Sequence, residues 1–391
     1  MRKQLHTRVL LLAGSLAAVA VIGLGCGDDR SPNAPEAQAP ASAPVAHQVV
    51  LDVANPDVQN AITIQEQHTE NLMARSGVVG TAVGLDSAGE MAVKVYLEDE
   101  SAMNGLPADL DGLNVVPVVT GKLVARGGPP GGMGMGNGGV NPQAPQAAPI
   151  KLGTSGGWRY DLANGFCCSG TLGGLIEDGG GTQYVLSNWH VLYADIVNGG
   201  NGITAQAGDP VIQPGMIDIG CNANNAINVA TLVSNGGSLP SGNVDAGIAA
   251  VIPGQVASDG EILEIGVLSS QTVGAFVGQA VKKMGRTTGL GRGNVDGLNA
   301  NVSITYENEC AGGVAFTKTF TGQIIITNSR CKFLDGGDSG SLVVEDVTTN
   351  PRTVGLLFAG STQCNKFAIA IANPIGDVLS HYGGGMQMVG N

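Results

Sequence analysis

The sequence is poor in aromatic and in charged residues. Aromatic side chains make up 4% of the 391 residues, and charged side chains make up 13%. Glycine, in contrast, occurs 62 times. This composition favours short strands joined by many turns over long helices. The length allows two domains with linkers between them.

Positive charge is also scarce. The chain has 19 Lys and Arg against 32 Asp and Glu, which gives a net charge of −13 and a pI near 4.7. No stretch combines a basic cluster with interleaved aromatic residues. Because the negatively charged phosphate groups repel an acidic protein surface, we expect neither nucleic acid nor an anionic membrane surface as a partner.

The stretch 336–341, Gly-Gly-Asp-Ser-Gly-Ser, has the features of a nucleophile turn. A serine between glycines has little to pack against, so the Ser339 hydroxyl projects and the neighbouring backbone N–H groups can converge on one point. An acyl-transfer nucleophile with an oxyanion hole has these requirements. Taken alone, such a cluster is more often an ordinary turn.

A serine nucleophile needs a histidine base, and that base needs an acid to fix its tautomer. Of five histidines, only His190 and His381 follow residue 150. His190 ends an apolar run, and Asp245 opens another, where a buried carboxylate requires a partner. His381 lies near the end of the chain and is expected to be exposed. Asp218 competes with Asp245, although its surroundings are typical of a loop.

The order His190, Asp245, Ser339, with gaps of 55 and 94 residues, resembles that of the trypsin-like (chymotrypsin-fold) serine peptidases. The resemblance rests on the motifs at 186–191, 244–249 and 336–341, and it covers roughly residues 150–385. A further segment, Lys-Met-Gly-Arg-Thr-Thr-Gly at 283–289, resembles the Gly-Arg-Thr-Thr-Gly turn of bacterial members of this family. Together with the other motifs, it resembles the branch related to the plant narrow-leaf protein.

The resemblance implies a mainly β fold. Residues 151–391 would form two antiparallel six-stranded β-barrels, with His190 and Asp245 on the first, Ser339 on the second, and the active site between them. A C-terminal helix would follow Pro374.

Residues 47–126 precede this region and are expected to form a small α/β domain. Asn55 and Pro56 suit a helix start, and strands are predicted near 77–84, 91–97 and 110–119. The sequence leaves open whether this domain is a pro-segment, a recruiting domain or a spacer. Residues 127–150 are rich in glycine and proline and are predicted to be a flexible linker.

The resemblance also assigns roles. Ser339 would attack the scissile carbonyl, His190 would accept its proton, Asp245 would stabilise the imidazolium, and the N–H groups of Gly337 and Ser339 would bind the oxyanion. The resemblance also implies protein or peptide substrates, and neither a cofactor nor a metal is expected.

Substrate preference depends on the walls of the pocket. Phe333 and Leu334 would form one wall, and Phe358 and Gly360 the other. These residues favour an apolar side chain or a shallow pocket, unless Asp335 turns inward. Arg286 is either a partner in a loop salt bridge or a substrate contact.

Residues 1–26 are predicted to be an export signal. A basic start precedes an apolar run that ends Gly-Leu-Gly-Cys, which resembles a lipoprotein signal with lipid added to Cys26. Ordinary cleavage and an uncleaved anchor are the alternatives. Residues 27–46 would be a disordered tether. We expect a bacterial cell-envelope protein, lipid-anchored or secreted, whose membrane contact is a lipid at Cys26.

Six cysteines remain besides Cys26. An even set in an exported protein predicts disulfides, in any of 15 pairings. Cys310 with Cys331 is the first expectation, because this bond would brace the region before the nucleophile. A metal site is disfavoured by the lack of a Cys-x-x-Cys pair or a nearby histidine.

Two functional hypotheses remain open. The first is an active serine endopeptidase, and the second is a protease-fold binding or scaffolding module without activity. An α/β-hydrolase esterase is disfavoured, because that class has the order Ser-Asp-His.

Overall fold

The computed structural model describes most of the chain from Val50 onward. The described residues are 50–125, 139–163, 166–193, 205–236, 242–306, 316–328, 333–362, 368–383 and 385–391. The predicted signal, the tether, Cys26, Cys310 and Cys331 lie outside these ranges, as does the first half (127–138) of the predicted linker. Within them, no helix is long and apolar enough to cross a membrane.

Strands dominate the described residues. They are β1 (Val78–Leu85), β2 (Met91–Leu97), β3 (Asp109–Leu110), β4 (Leu113–Val119), β5 (Leu123–Ala125), β6 (Thr154–Trp158), β7 (Leu162–Ala163), β8 (Phe166–Cys167), β9 (Gly170–Leu172), β10 (Gly174–Glu177), β11 (Gln183–Ser187), β12 (Pro210–Gln213), β13 (Ile227–Leu232), β14 (Gly247–Val251), β15 (Ala280–Gly285), β16 (Gly289–Tyr306), β17 (Phe316–Thr327), β18 (Leu342–Glu345), β19 (Thr353–Ser361), β20 (Ile369–Pro374) and β21 (Gln387–Met388). The α-helices are α1 (Pro56–Met73), α2 (Trp189–Leu192) and α3 (Ile375–Tyr382).

The first barrel is built from antiparallel neighbours. Strands β6, β12, β13, β14, β11 and β10 pair in that order. Strand β9, which is separated from β10 only by Gly173, pairs with β6 at the other end of this order. The interior is filled by apolar side chains such as Leu172, Val185 and Ala249. Closure of this kind leaves few open strand edges.

The second barrel closes on itself. Strands β15, β18, β19, β20, β17 and β16 pair in that order, and β15 also pairs with β16. Phe320, Phe358 and Ile371 are buried inside it. The predicted fold class, mainly β with two six-stranded barrels, is confirmed.

The segment before the barrels folds as the local signals predict. The Asn55 side chain accepts a hydrogen bond from the Asp57 N–H, and Pro56 begins α1. Strand β2 has the predicted bounds, and β1 pairs with it. Strand β1 also pairs with β16, so the sheet of this segment continues into that of the second barrel. The boundaries of the predicted domains stay a prediction.

The end of strand β11 differs from the expectation. The apolar run up to His190 predicts a strand that carries the histidine at its end. The strand instead stops at Ser187, and His190 lies in the short helix α2. Apolar runs of this length do not distinguish a strand end from a buried helical turn.

Candidate active site

His190 and Asp245 are held together by two hydrogen bonds. The His190 Nδ1–H donates to Asp245 Oδ2 over 2.6 Å, and its backbone N–H donates to Oδ1 over 3.2 Å. Only Asn188 separates β11 from helix α2, and Asp245 precedes β14, which pairs with β11. The Asn188 side chain ties the two segments together by donating to the Asp245 carbonyl over 2.6 Å.

The Asp245 carboxylate is fully buried but has several donors. Besides His190, the Tyr306 hydroxyl donates to Oδ2 over 2.7 Å. The Asp245 backbone N–H is bound by Asn373 Oδ1 over 3.0 Å. A buried charge is tolerated only with such partners. The sequence predicted the need for a partner of the carboxylate but did not identify Tyr306.

Ser339 lies in a turn whose shape depends on glycine. Gly337 has a φ of +94°, in the left-handed region. A Cβ at Gly337 would lie 2.6 Å from Thr287 Oγ1. Within the part of the chain that the structure describes, the N–H groups of Gly337 and Ser339 donate to no protein acceptor. They are therefore free to bind an oxyanion.

The nucleophile turn packs closely on the first barrel. The Thr171 N–H donates to the Ser339 carbonyl over 2.8 Å. A Cβ at Gly173 would lie only 1.9 Å from the Gly340 carbonyl oxygen, and one at Gly170 would lie 2.3 Å from Val191. These glycines of the β9–β10 segment allow the backbone of Ser339 to approach the helix that carries His190.

The hydroxyl of Ser339 has no hydrogen bond to the imidazole. Its Oγ donates a long bond of 3.4 Å to the carbonyl of Phe358. His190 Nε2 is buried and has no partner among the described groups. Catalytic hydrogen bonds are often long or absent until substrate binds. The imidazole thus has one nitrogen fixed by Asp245 and the other available.

Asp338 anchors the turn from below. Its buried carboxylate accepts from the N–H groups of Thr287 and Thr288 over 2.9 and 3.0 Å, and it pairs with Lys283 Nζ over 3.2 Å. Burial lowers the pKa of Lys283, and Asp338 opposes that shift. The segment 283–289 therefore supports the nucleophile turn, and Asp338 has a structural role in holding it.

Asp218 lies elsewhere. Its carboxylate forms a two-point ion pair with Arg286, with bonds of 2.7 and 2.5 Å, and accepts from Ser155 Oγ. Asp245, not Asp218, is thus the aspartate behind the histidine. Arg286 is the partner in a loop salt bridge, which is the first of its two predicted roles.

The cavity beside Ser339 is small, about 60 Å³. Of the four predicted pocket residues, Leu334 and Gly360 line it. Phe333 and Phe358 instead have buried side chains in the apolar core, where Phe358 packs on Phe320. Asp335 is exposed and also lines the cavity, together with Val124 of β5.

Among the described residues, a disulfide joins Cys167 of β8 to Cys221. It is one of the pairings that the sequence left open. The expected bond between Cys310 and Cys331 lies outside the described residues and stays a prediction.

Two six-stranded antiparallel barrels, with the His–Asp pair on one and the serine turn on the other, are the arrangement of the chymotrypsin-fold serine peptidases. Comparison with known proteins agrees. Residues 219–378 match the family described as the Nal1 C-terminal domain. The chain is 35% identical over 109 residues to Streptogrisin-A of Streptomyces griseus. The chain is therefore similar to the bacterial trypsin-like serine peptidases and to the narrow-leaf branch, as its motifs predict.

The matches to individual proteins are partial. The similarity to Streptogrisin-A covers 28% of this chain and about a third (31%) of that protein. A glutamic acid specific serine protease superposes with a TM-score of 0.40 at 17% identity, covering 61% of this chain and 100% of the other. Thermobifida fusca Protease A gives 0.38 at 19% identity, with coverages of 62% and 99%.

Proposed function

We propose that the chain is a serine endopeptidase that cleaves peptide bonds through an acyl-enzyme intermediate. The observation that carries the proposal is the 2.6 Å bond between His190 Nδ1 and Asp245 Oδ2, which leaves Nε2 without a partner among the described groups. A neutral imidazole held in this tautomer presents a basic nitrogen.

The proposed reaction has two halves. Ser339 Oγ attacks the carbonyl carbon while His190 Nε2 takes the hydroxyl proton, and the N–H groups of Gly337 and Ser339 stabilise the oxyanion. The imidazolium then gives the proton to the leaving amine, and the C–N bond breaks. Water, deprotonated by the same nitrogen, releases the acyl group and restores Ser339.

A fluorophosphonate probe tests this proposal, because it forms a covalent bond only with an activated serine. We expect labelling of Ser339, no labelling of Ser339→Ala, and labelling of His190→Ala that is slower by about 10²–10⁴-fold. His381→Ala serves as the matched histidine control and should label at the wild-type rate. Equal labelling of wild type and Ser339→Ala would refute the assignment.

The second candidate is a protease-fold binding module without activity. The observation in its favour is that Ser339 is only 2% exposed and that its hydroxyl bonds Phe358 rather than His190. This candidate predicts that Ser339 stays unlabelled even when the cleft is opened.

Residues 1–26 support the proposal that the enzyme acts at the cell envelope, either secreted or held by a lipid on Cys26. Mass spectrometry of the protein expressed in a bacterial host tests this. A diacylglyceryl group on Cys26 would establish the anchor, and Cys26→Ser should abolish the modification.

A further inference from the structure

We infer that Tyr306 is a positioning residue that sets the basicity of His190 through Asp245. The inference rests on the proposed function and concerns a residue outside the three motifs. Tyr306 ends β16, which belongs to the second barrel, whereas Asp245 and His190 belong to the first. The 2.7 Å bond from Tyr306 to Asp245 therefore links the two barrels at the acid of the triad.

The geometry leaves this phenol with one role. Its O–H donates to Asp245 Oδ2, the same atom that accepts from the His190 Nδ1–H. The pKa of Tyr306 is raised well above its ordinary value, mainly by burial and to a smaller extent by the neighbouring Asp245. The phenol therefore stays protonated and acts as a donor. The two donors share the charge on one oxygen, and each therefore weakens the other's bond.

The Tyr306 ring is held in place on several sides. It stacks on Phe316 with ring centroids 4.7 Å apart and meets the rings of Trp189 and His190 edge-on at 6.3 and 6.0 Å. The titratable neighbours of this region include Lys318, whose Nζ donates to the Gly242 carbonyl and whose charge also acts on Asp245, and Tyr382, whose phenol also interacts with the Asp245 charge. A rigid ring keeps the phenol oxygen directed at the carboxylate.

Removing the hydroxyl should make Asp245 a stronger partner for the protonated imidazole. In Tyr306→Phe the carboxylate loses a donor, its charge concentrates on the bond to His190, and the imidazolium is favoured. We expect the pKa of His190, followed by NMR of histidine-labelled full-length protein, to rise relative to the wild type. Phe316→Leu, which removes the stacked ring but keeps the Tyr306 hydroxyl, is the matched control and should shift that pKa less than Tyr306→Phe does.

This readout does not depend on turnover. An unchanged His190 pKa in Tyr306→Phe, or an equal shift in Phe316→Leu, would overturn the inference whether or not the chain is a peptidase. If the proposed function holds, the acid limb of kcat/KM should move upward with the His190 pKa.

A second, independent observation concerns β5. This strand of three residues pairs antiparallel with the end of β19, with Val124 opposite Gly360 and Leu123 opposite Ser361. The Thr362 N–H extends the ladder by donating to the Lys122 carbonyl over 3.1 Å. Strand β18 pairs only with the first half of β19, so β5 covers the edge that β18 leaves open.

The covered edge is the one beside the nucleophile. Val124 lines the same cavity as Ser339 and Gly360. Because β5 is antiparallel to β19, the chain runs from Val124 toward Phe358, the residue whose carbonyl accepts the Ser339 hydroxyl. Extended peptides bind proteins by adding a strand to such an open edge.

We propose that β5 occupies the peptide-binding edge of this site and closes it to other peptides in the full chain. Its functional consequence rests on the proposed function: the full chain would have a reduced, but measurable, peptidase activity. The occupancy agrees with the 2% exposure of Ser339. It also gives the segment before the linker a role that the sequence left open.

Two substitutions should open the edge. Val124→Pro removes the N–H opposite Gly360 and breaks the ladder. Val124→Asp places a carboxylate in the small cavity beside Asp335, where an unpaired charge is unfavourable. Leu123 and Ala125, whose side chains belong to the apolar core, are left intact. Val53→Asp, at a position that is 57% exposed, is the matched control.

The assay is binding of a fluorescent synthetic peptide that copies residues 119–125, measured by anisotropy on folded full-length protein. We expect at least tenfold tighter binding to Val124→Pro and Val124→Asp than to wild type and Val53→Asp. Equal affinity across all four proteins would overturn the proposal. Fluorophosphonate labelling of the same samples tests the function separately, because tighter binding without labelling would refute the peptidase and leave the strand's role intact.

Discussion

Replacing Asp338 with asparagine should destabilise the protein through Lys283. Both side chains are fully buried, and Nζ lies 3.2 Å from the carboxylate. Removing one partner of a buried ion pair typically costs about 3–5 kcal/mol. Lys283 keeps two neutral acceptors, Thr288 Oγ1 and the Gly289 carbonyl. We therefore expect a loss near the lower end, about 3 kcal/mol in the free energy of unfolding.

The loss should depend on pH in a defined direction. Burial lowers the pKa of Lys283 below its ordinary 10.5, and Asp338 limits that shift. Without Asp338 the folded-state pKa falls further, so the unfolded state binds more protons over a wider range below 10.5. Stability rises with pH wherever the unfolded state binds more protons. The deficit of Asp338→Asn should thus be full at neutral pH and shrink as the pH approaches 10.5.

Urea unfolding of wild type, Asp338→Asn and Asp346→Asn measures this effect. Asp346 pairs with Arg292 on the surface, where the Arg292 side chain is 59% exposed. That exposed pair should contribute less than about 1 kcal/mol. A deficit for Asp338→Asn no larger than that of Asp346→Asn, or one that grows with pH, would refute the reasoning.

Two further predictions concern the site and its surroundings. Gly337→Ala should lower kcat by about 10²–10³-fold. The φ of +94° and the 2.6 Å distance from a new Cβ to Thr287 Oγ1 would force the turn to move its oxyanion donor. Steady-state kinetics measures this effect, and an unchanged kcat would contradict it. Replacing both Cys167 and Cys221 with serine should lower the free energy of unfolding by about 4 kcal/mol, since the bond closes a loop of 54 residues. Urea unfolding measures this loss, and a loss of less than about 1 kcal/mol would contradict the prediction.

Local signals in the sequence were sufficient for much of the fold. The pair Asn55 and Pro56 located the start of α1, and alternating apolar residues located β2 to the residue. The glycines around Ser339 indicated a tight turn, and Gly337 has the left-handed φ that only glycine adopts without strain. These features depend on neighbouring residues and are therefore readable from a window of the chain.

Contacts between distant segments were not readable in this way. Tyr306 lies 61 residues from Asp245, and nothing near either residue indicates their bond. Strand β5 has three residues at the edge of a glycine-rich stretch, too few for a periodicity to register. Arg286 was correctly considered as an ion-pair partner, but only the packing identified Asp218 as the acid.

The sequence by itself determined which side chains have the chemistry for acyl transfer and where the backbone can turn sharply enough to present Ser339. Only the tertiary structure decided which aspartate supports His190, which phenol shares that carboxylate, and which strand covers the edge beside Ser339. The physical reason is that closing each barrel brings together segments far apart in the chain. Their contacts follow from strand register and burial, neither of which is a local property.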